Sequence, residues 1–189
     1  MNQPNDVSRH LMETLARVSL KAKILERLLC MVGSGAPPER VWSDILDAAM
    51  EAVPCEASSF FLADAKRGLT IVAARGRVSD KILGLKLKPG AGIAGACLMD
   101  RRTIAVSDVS RDPRHAARLA EALGFETRSL LAAPVTHDGA ALGVLEVVNK
   151  AGTNEFPRHE VELLERIART AGDLLAARVV PAKKGKKRA

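Results

Sequence analysis

Residues 127–160 read TRSLLAAPVTHDGAALGVLEVVNKAGTNEFPRHE, and the fold prediction starts from this stretch. It contains two apolar runs, at residues 129–136 and 141–148, which are joined by the linker HDG. An Asp-Gly pair between two such runs is a strong hairpin signal. Both runs are nearly continuous rather than alternating, which is typical of strands that are covered on both faces. We therefore predict two central antiparallel strands.

One carboxylate, Glu146, interrupts the second apolar run. Burying a charge without a partner costs free energy. We therefore expect Glu146 either at a polar edge of the sheet or facing a cavity.

Outward from the hairpin, shorter runs favour β-structure and are separated by turn-forming residues. They lie at residues 57–63, 69–74, 83–87 and 103–106. Helical periodicity predicts an N-terminal helix over residues 7–32, a sheet-covering helix from Pro38, and a C-terminal helix from Phe156 towards Val180. Asp112 followed by proline is typical of a helix start, and we expect a lid helix from there to about Leu123.

Three blocks of sequence, taken in order, resemble a known family. They are GAGIAG at residues 90–95, SDVSRDP at residues 107–113, and the central pair TRSLLAAPV and GVLEVVNK, followed by Phe156 ahead of an acidic helix. Over residues 38–178 their order and spacing resemble those of the GAF domain, a small-molecule sensor fold of signalling proteins. The resemblance implies an α+β fold with a central six-stranded antiparallel sheet flanked by helices, and the periodic sequences at the two ends add long N- and C-terminal helices to it.

The expected domain organisation has three parts. Residues 1–33 form an N-terminal dimerisation helix, residues 38–178 the GAF-like domain, and residues 181–189 a basic disordered tail. Five of the 29 basic residues lie in that tail, which leaves 24 basic against 22 acidic residues before it. The formal net charge of +7 is therefore concentrated at the C-terminus. A solvated tail is favoured over contact with nucleic acid or an anionic membrane.

Composition excludes several classes of protein. At 47% hydrophobic and 27% charged residues, the chain is typical of a globular protein. No apolar run approaches the roughly 18 residues that span a bilayer, and the N-terminus has no secretory pattern, so a cytoplasmic location is expected. Cys30, Cys55 and Cys97 lack the spacing of a disulfide framework or a metal site, and no metal is expected.

Both terminal helices carry apolar stripes with alternating spacings of three and four residues, as in a heptad seam. The first stripe is Leu11, Leu15, Val18, Ala22, Leu25, Leu29 and Val32. The second is Val161, Leu164, Ala168, Ala171 and Leu175. We predict a coiled-coil homodimer through the N- and C-terminal helices, in which part of the first helix packs on its own domain. Helix shifts would carry the signal.

The resemblance also implies site residues. The positions expected to contact a ligand are Ser59, Ile93, Ala94, Asp108, His115, Phe125, Thr127 and Glu146. A structural motif of the family is matched by Asn149, Lys150, Phe156 and Glu160, in which Lys150 and Glu160 are placed to form an ion pair. Small side chains are expected to leave room for a cavity at Ala73, Ala94, Ala132 and Ala133.

The sequence does not identify the ligand, so the cofactor stays unknown. Val161 replaces the terminal acid of the family motif, and Ala120 and Leu123 replace polar contacts in the lid. A cyclic nucleotide is therefore less expected than a less polar small ligand.

The expected function is a non-enzymatic regulatory protein that senses a small molecule and passes the signal to a partner protein through its dimeric terminal helices. One alternative is a ligand-free module for protein interaction and dimerisation. Another is an enzyme that resembles free methionine sulfoxide reductases, which the positions of the three cysteines disfavour. No catalytic constellation is recognised in the sequence.

Overall fold

The computed structural model describes residues 4–30, 36–114 and 124–179. Its helices are α1 (Pro4–Cys30), α2 (Pro38–Ala52), α3 (Ser79–Ile82), α4 (Gly92–Asp100) and α5 (Arg158–Val179). Its strands are β1 (Cys55–Ala63), β2 (Leu69–Arg75), β3 (Lys86–Leu87), β4 (Ile104–Val106), β5 (Leu130–His137) and β6 (Ala140–Lys150). A 3₁₀ turn covers Val109–Arg111.

The six strands form one antiparallel sheet in the order β3-β2-β1-β6-β5-β4. The predicted six-stranded sheet flanked by helices is therefore confirmed, as is the hairpin of β5 and β6. The centre of the sheet is the pair β1 and β6, because β6 pairs with β1 along its other edge. The prediction that β5 and β6 are the two central strands is therefore wrong by one strand position. The four-residue helix α3 was not predicted.

The sheet separates two apolar cores. On one face lie α2, α5 and the C-terminal part of α1, where the Trp42 ring stacks on the Phe60 ring with 4.9 Å between centroids. On the other face α4 packs through Ile93, Cys97 and Leu98. Side chains alternate between the faces along a strand, so Phe60 faces the helices while Phe61 faces α4.

The N-terminal helix divides into an exposed half and a buried end. Leu11, Leu15 and Val18 are 58%, 56% and 58% exposed, whereas Ile24 and Leu28 are almost completely buried against the domain. An ion pair of 3.2 Å from Arg27 to Glu51 also joins α1 to α2. The expectation that part of the helix packs on its own domain is confirmed, and Ile24 and Leu28 are two of the residues that do so.

The apolar stripe of α5 faces its own sheet. Leu164, Ala168 and Ala171 have no exposed surface. A Cβ atom at Gly172 would lie 2.1 Å from the Thr136 carbonyl oxygen, so glycine lets α5 sit directly on β5. The prediction that this stripe pairs with a helix of a second copy is wrong, because the core of the same chain covers it.

Several predictions lie outside the described residues. They concern the basic tail at 181–189, the seam residue Val32, the side chains of the seam residues Leu25 and Leu29, the lid helix beyond Arg114, and His115. Within the described ranges, the helices lack an apolar stretch long enough to cross a membrane.

Candidate functional site

A cavity of about 190 Å³ lies on the α4 face of the sheet and is lined by residues of β1, β2, β6, the first turn of α4 and the segment before β5. Most of its wall is apolar. The apolar lining includes Ala57, Phe61, Ile71, Val78, Ile82, Leu87, Ile93, Leu130 and Val148. Four side chains with polar groups join them, namely Ser59, Arg75, Thr127 and Glu146.

Most of the predicted ligand contacts surround this one cavity. Its lining includes Ser59, Ile93, Ala94, Phe125, Thr127 and Glu146. Asp108 is not part of the described lining. Its carboxylate is exposed and accepts hydrogen bonds from the backbone N–H and the hydroxyl of Ser110 at 3.1 and 2.5 Å, which lowers its pKa. Asp108 therefore caps the 3₁₀ turn, as a short polar side chain often does.

Glu146 is the buried carboxylate of the cavity wall. In the antiparallel register of β1 and β6 it lies opposite Ser59. Glu146 forms no hydrogen bond or ion pair with another residue that the structure describes. Burial alone raises its pKa to about 7, because the charged form loses its hydration. The sequence left two options for Glu146, a polar edge of the sheet or a cavity. In the structure Glu146 lines the cavity.

Asn149 fixes the segment that brings Thr127 to the cavity. Its side-chain amide donates to the Glu126 carbonyl oxygen at 2.8 Å, and its side-chain oxygen accepts from the Arg128 backbone N–H at 2.7 Å. The two bonds flank Thr127 on both sides. Asn149 itself has φ of 58°, a left-handed conformation that asparagine tolerates better than most residues.

A second set of bonds joins this segment to the start of β1. Glu56 accepts from the Asn149 amide at 2.8 Å and forms an ion pair with Arg128 at 2.5 Å. The hydrogen bond from Asn149, followed by that from Arg128, lowers the pKa of Glu56. Sequence reasoning missed Glu56 and Arg128, because each is an ordinary charged residue until the fold brings them together across 72 positions.

Arg75 was also missed, and it connects the cavity with the helical face. Its side chain contributes to the cavity wall. Its guanidinium donates to Asp47 at 2.9 Å and to the Ser43 hydroxyl, both on α2. Arg75 is a charged residue at the end of a strand, and the sequence alone does not indicate that it lies between a cavity and a helix.

The first turn of α4 forms another side of the cavity through Gly92, Ile93 and Ala94. Backbone N–H groups in the first turn of a helix have no acceptor within the helix. The turn is tight, since a Cβ atom at Gly95 would lie 2.6 Å from the Gly90 carbonyl carbon. The glycines of GAGIAG therefore permit the close approach that places this helix start beside the cavity.

The family-like motif at the end of β6 has a structural role. Lys150 and Glu160 form an ion pair of 3.2 Å, with only about a tenth of each side chain exposed. Phe156 packs against the helix-side core nearby. These contacts join the end of β6 to the start of α5, away from the cavity wall.

The small side chains expected to make room lie on both faces of the sheet. Ala94 lines the cavity and Ala132 belongs to the core on that face. Ala73 and Ala133 instead pack in the core beneath the helices. For these two the expectation was wrong, because adjacent strand residues point to opposite faces.

The three cysteines are separate from the cavity lining. Burial raises the pKa of the Cys55 thiol to about 11 and that of Cys97 to about 12, and Cys30 is exposed on α1. Thiolate is the reactive form of cysteine. Within the described residues, groups of three or more His, Cys, Asp or Glu that could hold a metal ion are absent.

Comparison with known proteins gives a consistent result. The model of the GAF domain family matches residues 37–175. A curated relative, the cone cGMP-specific 3',5'-cyclic phosphodiesterase subunit alpha' of Mus musculus, is 24% identical over 163 residues, which cover 80% of this chain and 19% of the relative. The chain thus spans about a fifth of the length of that relative.

Solved structures share the fold. The GAF domain from a phosphoenolpyruvate-protein phosphotransferase of Coxiella burnetii is 25% identical, with a TM-score of 0.72 and coverage of 84% of this chain and 95% of that one. The free methionine-R-sulfoxide reductase of Neisseria meningitidis, in complex with its substrate, is 20% identical, with a TM-score of 0.70 and coverage of 86% and 93%.

Proposed function

The chain belongs to the GAF domain family, and from that premise we propose that it is a non-enzymatic regulatory protein that senses a small ligand in the cavity beside Glu146. One observation carries this proposal. Glu146 is buried in the cavity wall and has no partner among the described residues. A buried polar group without a partner is costly, so its presence supports a ligand that supplies the missing hydrogen-bond donor.

The lining limits the class of ligand. Its apolar wall suits a compact apolar or aromatic body, and Glu146, with Ser59 and Thr127 in the same lining, provides polar contacts for one end. Arg75 also lines the cavity, but its guanidinium is paired with Asp47 of α2. An ammonium or another N–H donor is the best match for the carboxylate, since charge-assisted hydrogen bonds are the stronger ones. The ligand we propose is therefore a small amphipathic molecule with a cationic or donor group.

Cavity size argues against a nucleotide. A volume of 190 Å³ is below the roughly 300 Å³ at which pockets for drug-sized ligands begin, and above the roughly 150 Å³ of an engineered cavity that holds benzene. The phosphodiesterase relative is named for cGMP, but it shares 24% identity with this chain. We propose a ligand smaller and less polar than a cyclic nucleotide.

Two physical connections support transfer of a signal from the cavity to the helices. Arg75 contributes to the cavity wall and is bonded through its guanidinium to Asp47 of α2. Ser59 lines the cavity, while its neighbour Phe60 stacks on Trp42 of α2. A ligand that moves β1 or the end of β2 would therefore change the packing of α2, against which α1 lies.

The exposed half of α1 supports a dimeric assembly. Leu11, Leu15 and Val18 present an apolar stripe that the domain does not cover. Their spacing is that of a heptad seam, which is buried when two copies pair. We propose a homodimer through this half of α1, whose shifts would reach a signalling partner. The same stripe favours the second candidate function, a ligand-free interaction module.

The cysteines support the non-enzymatic proposal over a thiol-based reductase. Cys55 and Cys97 have raised pKa values, and the described cavity lining contains no thiol. A cysteine reductase needs a reactive thiolate beside its substrate. The likeness to the Neisseria reductase, at 20% identity, is one of fold.

Native mass spectrometry of freshly purified protein, compared with the denatured mass, tests this proposal. A mass of two chains plus a discrete increment is expected, and Ala94→Phe, which fills the cavity, should remove the increment while leaving the dimer. A bare dimer would contradict the sensor and favour the interaction module. A bare monomer would contradict both.

A further inference from the structure

A second cleft, of about 500 Å³, lies at the β4 edge of the sheet. The turn between α4 and β4, the end of β5 and one side of α5 form its walls. Its described lining is Arg101, Arg102, Thr103, Pro134, Thr136, Val161, Glu165 and Arg169. This cleft shares no described lining residue with the cavity beside Glu146.

The charge of this cleft is unbalanced. Three of its lining residues, Arg101, Arg102 and Arg169, are cationic, and one, Glu165, is anionic. Arg102 and Arg169 form no ion pair or hydrogen bond with another described residue. On the same helix Arg158 is paired with Glu162 at 2.8 Å. The cleft therefore holds two guanidinium groups whose bonding capacity is available to a ligand.

Backbone contacts fix the two walls from which these arginines extend. Arg101 ends α4 in a left-handed conformation with φ of 53°, and its guanidinium donates to the Gly139 carbonyl oxygen at 3.1 Å. This bond ties the α4–β4 turn to the β5–β6 turn. On the opposite wall, contact of Gly172 with the Thr136 backbone seats α5 directly on β5, which brings Arg169 to the cleft.

The edge of β5 indicates which kind of ligand fits. The pairing of β4 with β5 ends at Ile104 and Ala132, so Pro134 and Thr136 lie beyond it. Proline has no backbone N–H and is typical of edges that do not accept a further strand. A peptide strand added beside β5 would find no backbone N–H donor at Pro134. Recognition of a ligand therefore depends on the arginine and threonine side chains of the cleft.

We propose that this cleft binds a small phosphoryl-bearing anion, held by Arg102 and Arg169 and contacted by the hydroxyls of Thr103 and Thr136. Guanidinium groups match the oxygen geometry of a phosphoryl group in bidentate fashion. With two available guanidinium groups, a diphosphate or a molecule with two phosphoryl groups is favoured over a single phosphate. The site is independent of the ligand proposed for the cavity.

Calorimetric titration of the full-length protein with inorganic pyrophosphate at constant ionic strength tests this site. Arg102→Gln and Arg169→Gln should each weaken binding by about tenfold. Arg166→Gln removes the same charge from α5 outside the described cleft lining and should change the affinity by less than about twofold. All variants keep the basic tail, so its contribution is constant.

Two results would overturn the proposal. One is the absence of saturable pyrophosphate binding to the wild-type protein. The other is equal affinity in all three variants, which would assign the binding to the tail or to the general positive charge. Circular dichroism of the variants checks that their fold is unchanged.

Discussion

Glu146 of β6 lies directly opposite Ser59 of β1 in the antiparallel register, and both residues line the same cavity. Opposed residues on neighbouring strands have side chains on the same face. The two central strands of the sheet therefore each contribute one polar residue to a mostly apolar wall. The alternate residues of β1 and β6 point to the other face and contact the helices. The two strands that would contact a ligand are therefore also strands on which α2 and α5 pack.

The buried carboxylate predicts a specific pH dependence of stability. Burial raises the pKa of Glu146 to about 7. The folded state favours the protonated carboxyl group of Glu146. The contribution of this group to stability is therefore fully present below pH 4.5, the usual pKa of a glutamate, and is lost as the pH rises to about 7. Glu146→Gln should therefore be more stable than wild type above pH 7, by about 3 kcal/mol, with little difference at pH 4.

Chemical denaturation at pH 4, 6 and 8 measures this difference. Glu155→Gln, which removes an exposed carboxylate near the start of α5, is the matched control and should show no such trend. If Glu146→Gln were as stable as wild type at pH 8, the carboxylate would have to be solvated or paired in the folded protein.

The ion pair between Lys150 and Glu160 predicts a second effect on stability. Lys150→Met would leave the Glu160 carboxylate buried, with its Oε2 atom already lacking a hydrogen-bond partner within the described structure. We expect a loss of about 3 kcal/mol in the free energy of unfolding. The double variant Lys150→Met/Glu160→Leu should recover most of it. A double variant as unstable as the single one would show that packing, rather than the orphaned charge, is responsible.

The exposed stripe of α1 predicts an effect on assembly. Leu15→Lys places a charge in the proposed seam and should convert the dimer to a monomer, because burying an unpaired ammonium is costly. Ala16→Lys adds the same charge one position away, outside the predicted seam, and should leave the dimer intact. Sedimentation equilibrium distinguishes the two. A dimer that persists in Leu15→Lys would place the interface elsewhere.

The sequence predicted local structure well and spatial relationships less well. The six strands were predicted because each is a β-favouring run bounded by turn residues. Glu146 was recognisable because it interrupts an apolar run. The strand order was not predictable from such runs, and the pair β5 and β6 was therefore placed at the centre instead of β1 and β6.

Errors at individual residues have a common physical cause. Ala73 and Ala133 were assigned to the cavity by size, but the pleat of the sheet turns them to the helix side. The stripe of α5 was assigned to a dimer because a heptad pattern is the same whether a helix packs on another copy or on its own sheet. Arg75 was missed because its role depends on Asp47, a residue on another element. Tertiary contacts decide all three cases.

Binding of a small aromatic amine is the most direct test of the account. Benzylamine has a compact apolar ring and an ammonium group, and benzoate has the same ring with the opposite charge. At pH 8, benzylamine should shift the methyl resonances of Ile71 and Ile93, which line the cavity, but not those of Ile45 and Ile167 beneath the helices. Glu146→Gln should weaken this binding by about tenfold. No saturable shift at Ile71 and Ile93, or equal shifts from benzoate, would contradict a ligand site built on Glu146.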